Sequence, residues 1–275
     1  MNLSELRLFA ANIRLNTVKC VAKRGFGHLG GALSVADVLA VLYGGEMKID
    51  PKNPGWDERD FFVCSKGHAG PAVYATLALK GYFPMSELET LNRPGTNLPS
   101  HCDKNKTPGV DMTTGSLGQG ISIACGMALG VYGTGRRVFC IVGDGECDEG
   151  QVWEAVEFAA HHKLDNFFIF VDLNKKQLDG YTHDIIDLRN MEAKLREFGC
   201  DAVTVDGRDV SAIAGAIKAA QPGRPHAIVL DTVKGAGVPE IEQMVSNHHI
   251  VVSEELAARS IAHLEGELAR LKGDN

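Results

Sequence analysis

Asp144 stands between Gly143 and Gly145, directly after the apolar run Val138-Phe139-Cys140-Ile141-Val142. The run reads as a buried strand. The two glycines let the backbone turn sharply and approach something closely. A carboxylate there would sit at the carboxyl end of the strand, where open α/β sheets bind their ligands. Asn174 follows 30 residues later, after a second apolar stretch ending Val171-Asp172-Leu173. That interval accommodates a turn, a helix and a strand, so the chain returns to the same edge of the sheet. A right-handed crossover would set the two strand ends side by side. An Asp carboxylate and an Asn amide oxygen are hard ligands, suited to Mg²⁺ or Ca²⁺ shared with phosphate oxygens. Each residue also has an ordinary explanation: Asp144 can cap the next helix, and Asn174 can open a turn.

Strand-like and helix-like segments alternate around this pair, which predicts an α/β fold: a mostly parallel sheet with helices on both faces. The predicted strands are Phe61–Ser65, Val138–Val142, Asn166–Leu173, Ala202–Val205 and His226–Thr232. Between them, helices are predicted over Pro71–Leu79, Gly118–Val131, Gln151–His162, Met191–Phe198 and Val210–Ala219. Helices over Ser4–Lys23 and Ser34–Tyr43 precede the first strand. A last helix, Glu254–Lys272, carries Leu256, Leu264, Leu268 and Leu271 at roughly helical spacing. No repeat or Pro/Gly/Ser-rich linker divides the chain. Residues 1–275 are expected to form one domain, with a helical extension from about residue 253. Two long irregular stretches, Pro84–Thr114 and Lys234–Val252, both contain histidine. Loops of that length in a compact domain are functional or disordered.

The composition is that of a globular protein, 44% hydrophobic and 23% charged. A net charge of −7 argues against broad nucleic-acid or anionic-membrane binding. No apolar run approaches the roughly 20 residues that span a bilayer. The polar start, Met1-Asn2-Leu3-Ser4-Glu5, reads as the beginning of a helix, without a signal-peptide core. Seven scattered cysteines without C-x-x-C suit a reducing cytoplasm rather than a disulfide framework or a zinc site.

Gly143-Asp144-Gly145 with Asn174 resembles the thiamine diphosphate-binding motif. Within that superfamily, "GDGECDEGQVWEA" and "NKKQLDG" are similar to the amino-terminal segment of transketolase. The resemblance covers nearly the whole chain and implies the diphosphate-binding (PP) domain fold. It implies that Asp144, Asn174 and the backbone carbonyl of Lys176 ligate Mg²⁺, or Ca²⁺ in its place, with the diphosphate completing the shell. Gly145, Glu146, Glu149 and Leu178 would also meet the cofactor. No G-x-x-x-x-G-K-[S/T] is present, so metal, backbone N–H groups and helix amino-termini are expected to neutralise the diphosphate.

The same resemblance gives four histidines a place. "GFGHLGGALS", "SKGH", "SHCDKNKTPGVDMTTGSLGQG" and "VKGAGVPEIEQMVSNHH" match histidine-bearing transketolase segments. They single out His28, His68, His101 and His248, with His249 adjacent to the last. Ketol transfer needs proton donors and acceptors around a carbonyl that becomes an alkoxide, and imidazole serves as either near neutral pH. By resemblance, His28 and His101 contact ketose oxygens, while His68 and His248 lie between diphosphate and substrate. Gly115, Ser116 and Leu117 resemble the loop that meets the thiazolium and aminopyrimidine ends of the cofactor. A lone histidine is more often solvated or structural, and His161, His162, His183, His226 and His263 are left so.

The sequence departs from the family on the substrate side. Ser100 and Cys102 flank His101 where glycine and proline are usual, Asn97 stands where split transketolases often carry arginine, and Leu29 replaces a proline. This opens the donor to ketoses other than xylulose 5-phosphate, such as apulose 4-phosphate or a sulfonated fructose. A full transketolase is more than twice this length and supplies a pyrimidine-binding domain with an essential glutamate. The chain is therefore expected to be one subunit of a split enzyme, completed by a separate carboxy-terminal subunit in an α2β2 heterotetramer. Glu149 and Glu154 match acidic residues at that interface, although acids on a first helical turn are also simply favourable. Two other readings remain. A 2-oxo acid dehydrogenase alpha subunit shares the motif but gives no reason for the histidines, and a non-catalytic cofactor-binding subunit gives none for the intact site.

Overall fold

The computed structural model describes residues 1–273. Five parallel strands form the central sheet: β2 (Phe61–Cys64), β3 (Val138–Gly143), β4 (Phe167–Leu173), β5 (Asp201–Asp206) and β6 (His226–Asp231). Their order is β2-β3-β4-β6-β5. Each lies within one residue of the stretch that its apolar pattern predicts. β1 (Phe26–His28) and β7 (His249–Val251) form a separate antiparallel ribbon.

Alternation along the strands divides the core into two layers. On β3, Phe139 and Ile141 join one cluster, whereas Val138, Cys140 and Val142 join the other. Successive strand side chains point to opposite faces, so a strand covered on both sides is apolar throughout. The first layer packs beneath helices Leu3–Arg24, Ala36–Val41, Gly70–Lys80, Val210–Lys218 and Glu254–Gly273. The second packs beneath Gln119–Gly130, Gly150–His161 and Met191–Glu197. The seven cysteines are free thiols, all buried. Among the described residues no helix is long and apolar enough to cross a membrane.

The polar amino-terminus does start a helix. Asn2 Oδ1 accepts from Glu5 N at 2.9 Å and Glu5 Oε2 accepts from Asn2 N at 2.7 Å, a reciprocal cap. Two expectations need correction. The predicted helix Ser34–Tyr43 is broken: it runs as Gly30–Leu33, then Ala36–Val41, then a widened turn over Leu42–Glu46. The widened turn brings Gly44 close to the first helix, where a Cβ would meet Leu6 Cδ2 at 2.3 Å. The stretch Lys234–Val252 is also not wholly irregular, since it contains the helix Pro239–Glu242 and β7. A three-residue strand has too few positions to display a period of two.

Strand register positions the motif. Val142 pairs with Val171 and Gly143 with Asp172, so Asp144 and Asn174 leave neighbouring strands at the same end. Beneath them, the buried Arg14 guanidinium pairs with Asp37, with Nη1 3.2 Å from Oδ1, and Nε donates to Ala236 O at 2.9 Å. This joins the first helix to the turn that carries Lys234. Asp37→Ala leaves a buried guanidinium unpaired and should cost about 3–5 kcal/mol. Urea unfolding checks it; an unchanged midpoint would contradict the role given to this pair.

Candidate active site

Four neighbouring strands each deliver a charged group to the same end of the sheet. Lys66 follows β2, Asp144 follows β3, Asp172 lies in β4 and Lys234 follows β6. All four are at most 2% exposed. Isolated charges cannot be buried at such a depth, so each needs a partner. Lys66 Nζ pairs with Asp172 and donates to Gly31 O at 2.8 Å. Ser34 Oγ and Asn174 Nδ2 donate to the same Asp172 oxygen, at 2.8 and 2.7 Å. The other oxygen, Oδ1, has no partner.

Asp144 does act as a cap, accepting from Gly145 N at 2.8 Å, and it also accepts from Lys175 N across the strand gap at 2.6 Å. Burial, with the nearby Asp172 charge, raises its carboxyl to about 7. A cation held beside it would favour its charged form. The Asn174 amide is oriented for one: its nitrogen is committed to Asp172, which leaves Oδ1 as the outward acceptor, touched only by Lys176 N at 3.2 Å. Lys175 holds this turn in the left-handed region at φ 69, an unusual conformation for a residue with a side chain. One carboxylate, one amide oxygen and one carbonyl suit a hard divalent ion sharing phosphate oxygens. Among the described residues no group of three His, Cys, Asp or Glu side chains is placed to hold a metal ion by itself.

Five imidazoles converge beside this end. The His28 ring centroid lies 5.1 Å from His101, 5.7 Å from His68, 5.2 Å from His248 and 4.8 Å from His249. His68 and His248 are 4.5 Å apart. A cleft of about 200 Å³ joins His68, His101, His248, Lys66, Asp144, Asn174 and Lys234. His249 is exposed and does not line it, while His248 does. His248 precedes β7, whereas His249 is its first residue and packs on the outer side of the group against His28 and Phe26. Gly115, Leu117, Gly145, Lys176 and Leu178 also line the cleft. Ser116, Glu149 and Glu154 are exposed and lie outside it. A larger groove of about 440 Å³ beyond Lys175 contains neither Asp144 nor any histidine, so size alone does not locate the chemistry.

Glu146 lines the cleft, but its carboxylate is occupied by the protein. It accepts from Gly118 N at 2.9 Å, Gly143 N at 3.0 Å and the Ser65 hydroxyl. It ties the Gly115–Gly118 turn to the Asp144 turn. The long stretch Pro84–Thr114 is anchored as well. Tyr74 Oη lies 2.9 Å from the carbonyls of Pro99 and His101, and Thr114 Oγ1 donates to Cys64 O at 2.7 Å.

Residues 6–267 match the family model described as transketolase, thiamine diphosphate binding domain. The chain belongs to this family. It is 51% identical over 259 residues to a 6-deoxy-6-sulfo-D-fructose transketolase subunit of Clostridium sp. (strain MSTE9), covering 93% of this chain and 94% of that one. It is 38% identical to an apulose-4-phosphate transketolase subunit of Actinobacillus succinogenes, over 88% of each. A transketolase structure from Campylobacter jejuni superposes with TM-score 0.87 at 27% identity, covering 99% of this chain and 48% of that one. The chain thus spans about half the length of the solved transketolase and nearly the whole of the named subunits.

Within this transketolase-family chain, His28 packs against His68, His101, His248 and His249, and His68 packs against His248. One expectation changes. The sequence left neutralisation of a diphosphate to metal, backbone and helix ends, yet two buried ammonium groups stand here. Lys66 is balanced by Asp172. Lys234 is not paired with a carboxylate: its Nζ donates to Lys176 O at 3.0 Å and lies 3.1 Å from His248 Nδ1. Burial and Lys66 lower it to about 8. Lys66, Lys234 and Asp172 were missed because their motifs were read for histidines and asparagine. A charged residue inside an apolar strand, such as Asp172, was the available signal.

Burial, with neighbouring imidazoles and Lys234, lowers His28 to about 4 and His248 to about 3, and burial also lowers His68 and His101. Each is neutral at pH 7, with one nitrogen to donate and one to accept. A lowered value means that His28 keeps its neutral form as pH falls through 6.5 and gains its proton only near 4. An NMR titration of its ring resonances should give that midpoint; a midpoint near 6.5 would contradict the packing described.

Proposed function

We propose that this chain is the diphosphate-binding subunit of a two-chain transketolase. With Mg²⁺ and thiamine diphosphate it would transfer a two-carbon ketol unit from a ketose to an aldose, as one domain. The observation that carries the reading is the conjunction of the buried Asp144–Asn174 pair with three histidines, His68, His101 and His248, in one cleft, and with His28 packed against all three from just outside its lining. Asp144, Asn174 and the Lys176 carbonyl would hold the metal, and Lys234 would offset remaining phosphate charge. Bound thiamine diphosphate supplies the electron sink that lets a carbon–carbon bond beside a carbonyl break. The protein's share is placement and proton handling. His28 and His101 offer donors and acceptors to ketose oxygens, and Ser100 Oγ, 3.4 Å from His28 Nδ1, extends that set. His68 and His248 occupy the metal side, where a neutral imidazole can donate to a developing alkoxide without bringing charge.

The second half of the site would come from a separate pyrimidine-binding subunit, in an α2β2 assembly in the cytoplasm. Support lies in the length relation. A transketolase of Pongo abelii is matched over 98% of this chain but only 44% of its own length. The relatives of matching length are named as subunits. The donor is proposed to be a sulfonated ketose, favoured over apulose 4-phosphate or xylulose 5-phosphate. The 51% relative is named for 6-deoxy-6-sulfo-D-fructose, and this chain departs from the transketolase pattern at Asn97, Ser100 and Cys102.

Two outcomes are expected. Purified from its native lysate with Mg²⁺ and thiamine diphosphate, the chain should bring down a partner, and ketol transfer should need both. A chain that is active alone would refute the split site. In a panel of ketose donors, the sulfonated ketose should give the highest kcat/KM, and a clear preference for xylulose 5-phosphate would refute that assignment. Asp144→Ala in the assembled enzyme should weaken Mg²⁺-dependent cofactor binding by more than about 100-fold in calorimetry, since loss of outer-shell partners alone costs about 10–100-fold. Unchanged binding would remove Asp144 from the metal.

A further inference from the structure

Lys234 and His248 belong to a segment that the central sheet does not hold. Between β6 and β7 the chain contains only the four-residue helix Pro239–Glu242. Two sets of contacts fix it. From one side, Lys176 Nζ donates to the carbonyls of Glu242 and Met244 at 3.2 and 2.8 Å. From within, the fastening is Asn247, only 2% exposed. Its side-chain amide donates to Lys234 O and to Ile241 O, both at 2.9 Å. Its own carbonyl accepts from Gly30 N at 3.0 Å, and Gly30 O accepts from Gly235 N at 2.9 Å.

The Asn247 side chain therefore closes the loop from 234 to 247, while backbone bonds of Asn247 and Gly235 with Gly30 join its two ends to the turn after His28. The fit is close, because a Cβ on Gly30 would come within 2.3 Å of Asn247 O. Ile241 O also accepts from Met244 N at 3.3 Å, whereas Lys234 O depends on the amide, and a buried carbonyl left without a donor is costly. The loop ends are the functional positions: Lys234 is directly bonded through its carbonyl, and His248 is the next residue in the chain. Sequence reading passed over Asn247 because a lone asparagine in an irregular stretch has no spacing to test.

We propose that Asn247 is a positioning residue, fixing the Lys234 ammonium and the His248 imidazole against one another for the anionic end of the cofactor and for the substrate. This rests on the transketolase reading above, but its geometry does not. The amide supplies two donors from one plane, and neither a hydroxyl nor a methyl group can replace both.

The test compares Asn247→Ala with Asn247→Ser, which keeps one donor and serves if the alanine variant fails to fold. On the isolated chain, thermal unfolding and an NMR titration of the His248 ring are recorded. On enzyme co-purified with its partner, the thiamine diphosphate concentration giving half-maximal activity is measured. Release of Lys234 should raise the His248 midpoint by about one unit or more toward its ordinary value. The half-activating cofactor concentration should rise about tenfold, as for other residues that orient ligands through one intermediary. The serine variant should fall between. A lower unfolding temperature with an unmoved His248 midpoint and an unchanged cofactor requirement would reduce Asn247 to a structural loop residue and overturn the proposal. If no ketol transfer is found for the unsubstituted enzyme, the transketolase reading fails, and the His248 titration still decides the positioning role.

Discussion

Four buried charges at one end of the sheet constrain everything around them. Lys66, Asp144, Asp172 and Lys234 come from β2, β3, β4 and β6, four strands that are adjacent in space but not in sequence. Water cannot solvate them, so the protein must. Lys66 and Asp172 neutralise one another and collect Ser34, Gly31 and Asn174 as further partners. Asp144 and Lys234 lack such a complete set, which is why burial moves both toward neutrality, one up to about 7 and the other down to about 8. A carboxylate and an ammonium that are hydrogen-bonded but have no ion-pair partner among the described residues would suit a ligand that carries both a cation and an anion. A metal–diphosphate unit is such a ligand.

The glycines make this crowding possible. A Cβ on Gly31 would lie 3.1 Å from His68 Nε2 and 3.3 Å from Lys66 Nζ, and one on Gly120 would meet Ser65 Cα at 2.7 Å. Glycine here is a requirement of close approach rather than of turn geometry. The histidines follow from the same packing. Crowded against each other and against two ammonium groups, they stay neutral, and neutral imidazole both donates and accepts. Burial first, and for His28, His68 and His248 the nearby ammonium groups as well, thus set the protonation state of the histidines.

The segments that contact substrate by resemblance, Pro84–Thr114 and Lys234–Val252, lie outside the central sheet and are held by side-chain anchors. Tyr74 and Thr114 hold the first, and Asn247 and Lys176 hold the second. The sheet carries Asp144 and Asp172 at the ends of its strands, while the anchored loops carry Asn97, Ser100, His101 and His248.

The strands and the juxtaposition of Asp144 with Asn174 are legible in the chain before it folds. Apolar runs such as Val138–Val142 are buried on both faces, and a fully buried strand has no alternative reading once flanked by Gly-Asp-Gly and by amphipathic segments. Asp144 and Asn174 were legible because their spacing equals one strand–helix–strand passage. The four histidines were legible only through resemblance, since no periodicity links positions 28, 68, 101 and 248. Three matters emerge only in the folded molecule: that Lys66 and Lys234 enter the site, that Glu146 serves the loop rather than facing outward, and that His248 rather than His249 lines the cleft. Each depends on which long-range neighbour a side chain meets, and β2, β3, β4 and β6 become neighbours only when the sheet has formed. Local pattern records how a residue lies on its own element; it carries no record of the element opposite.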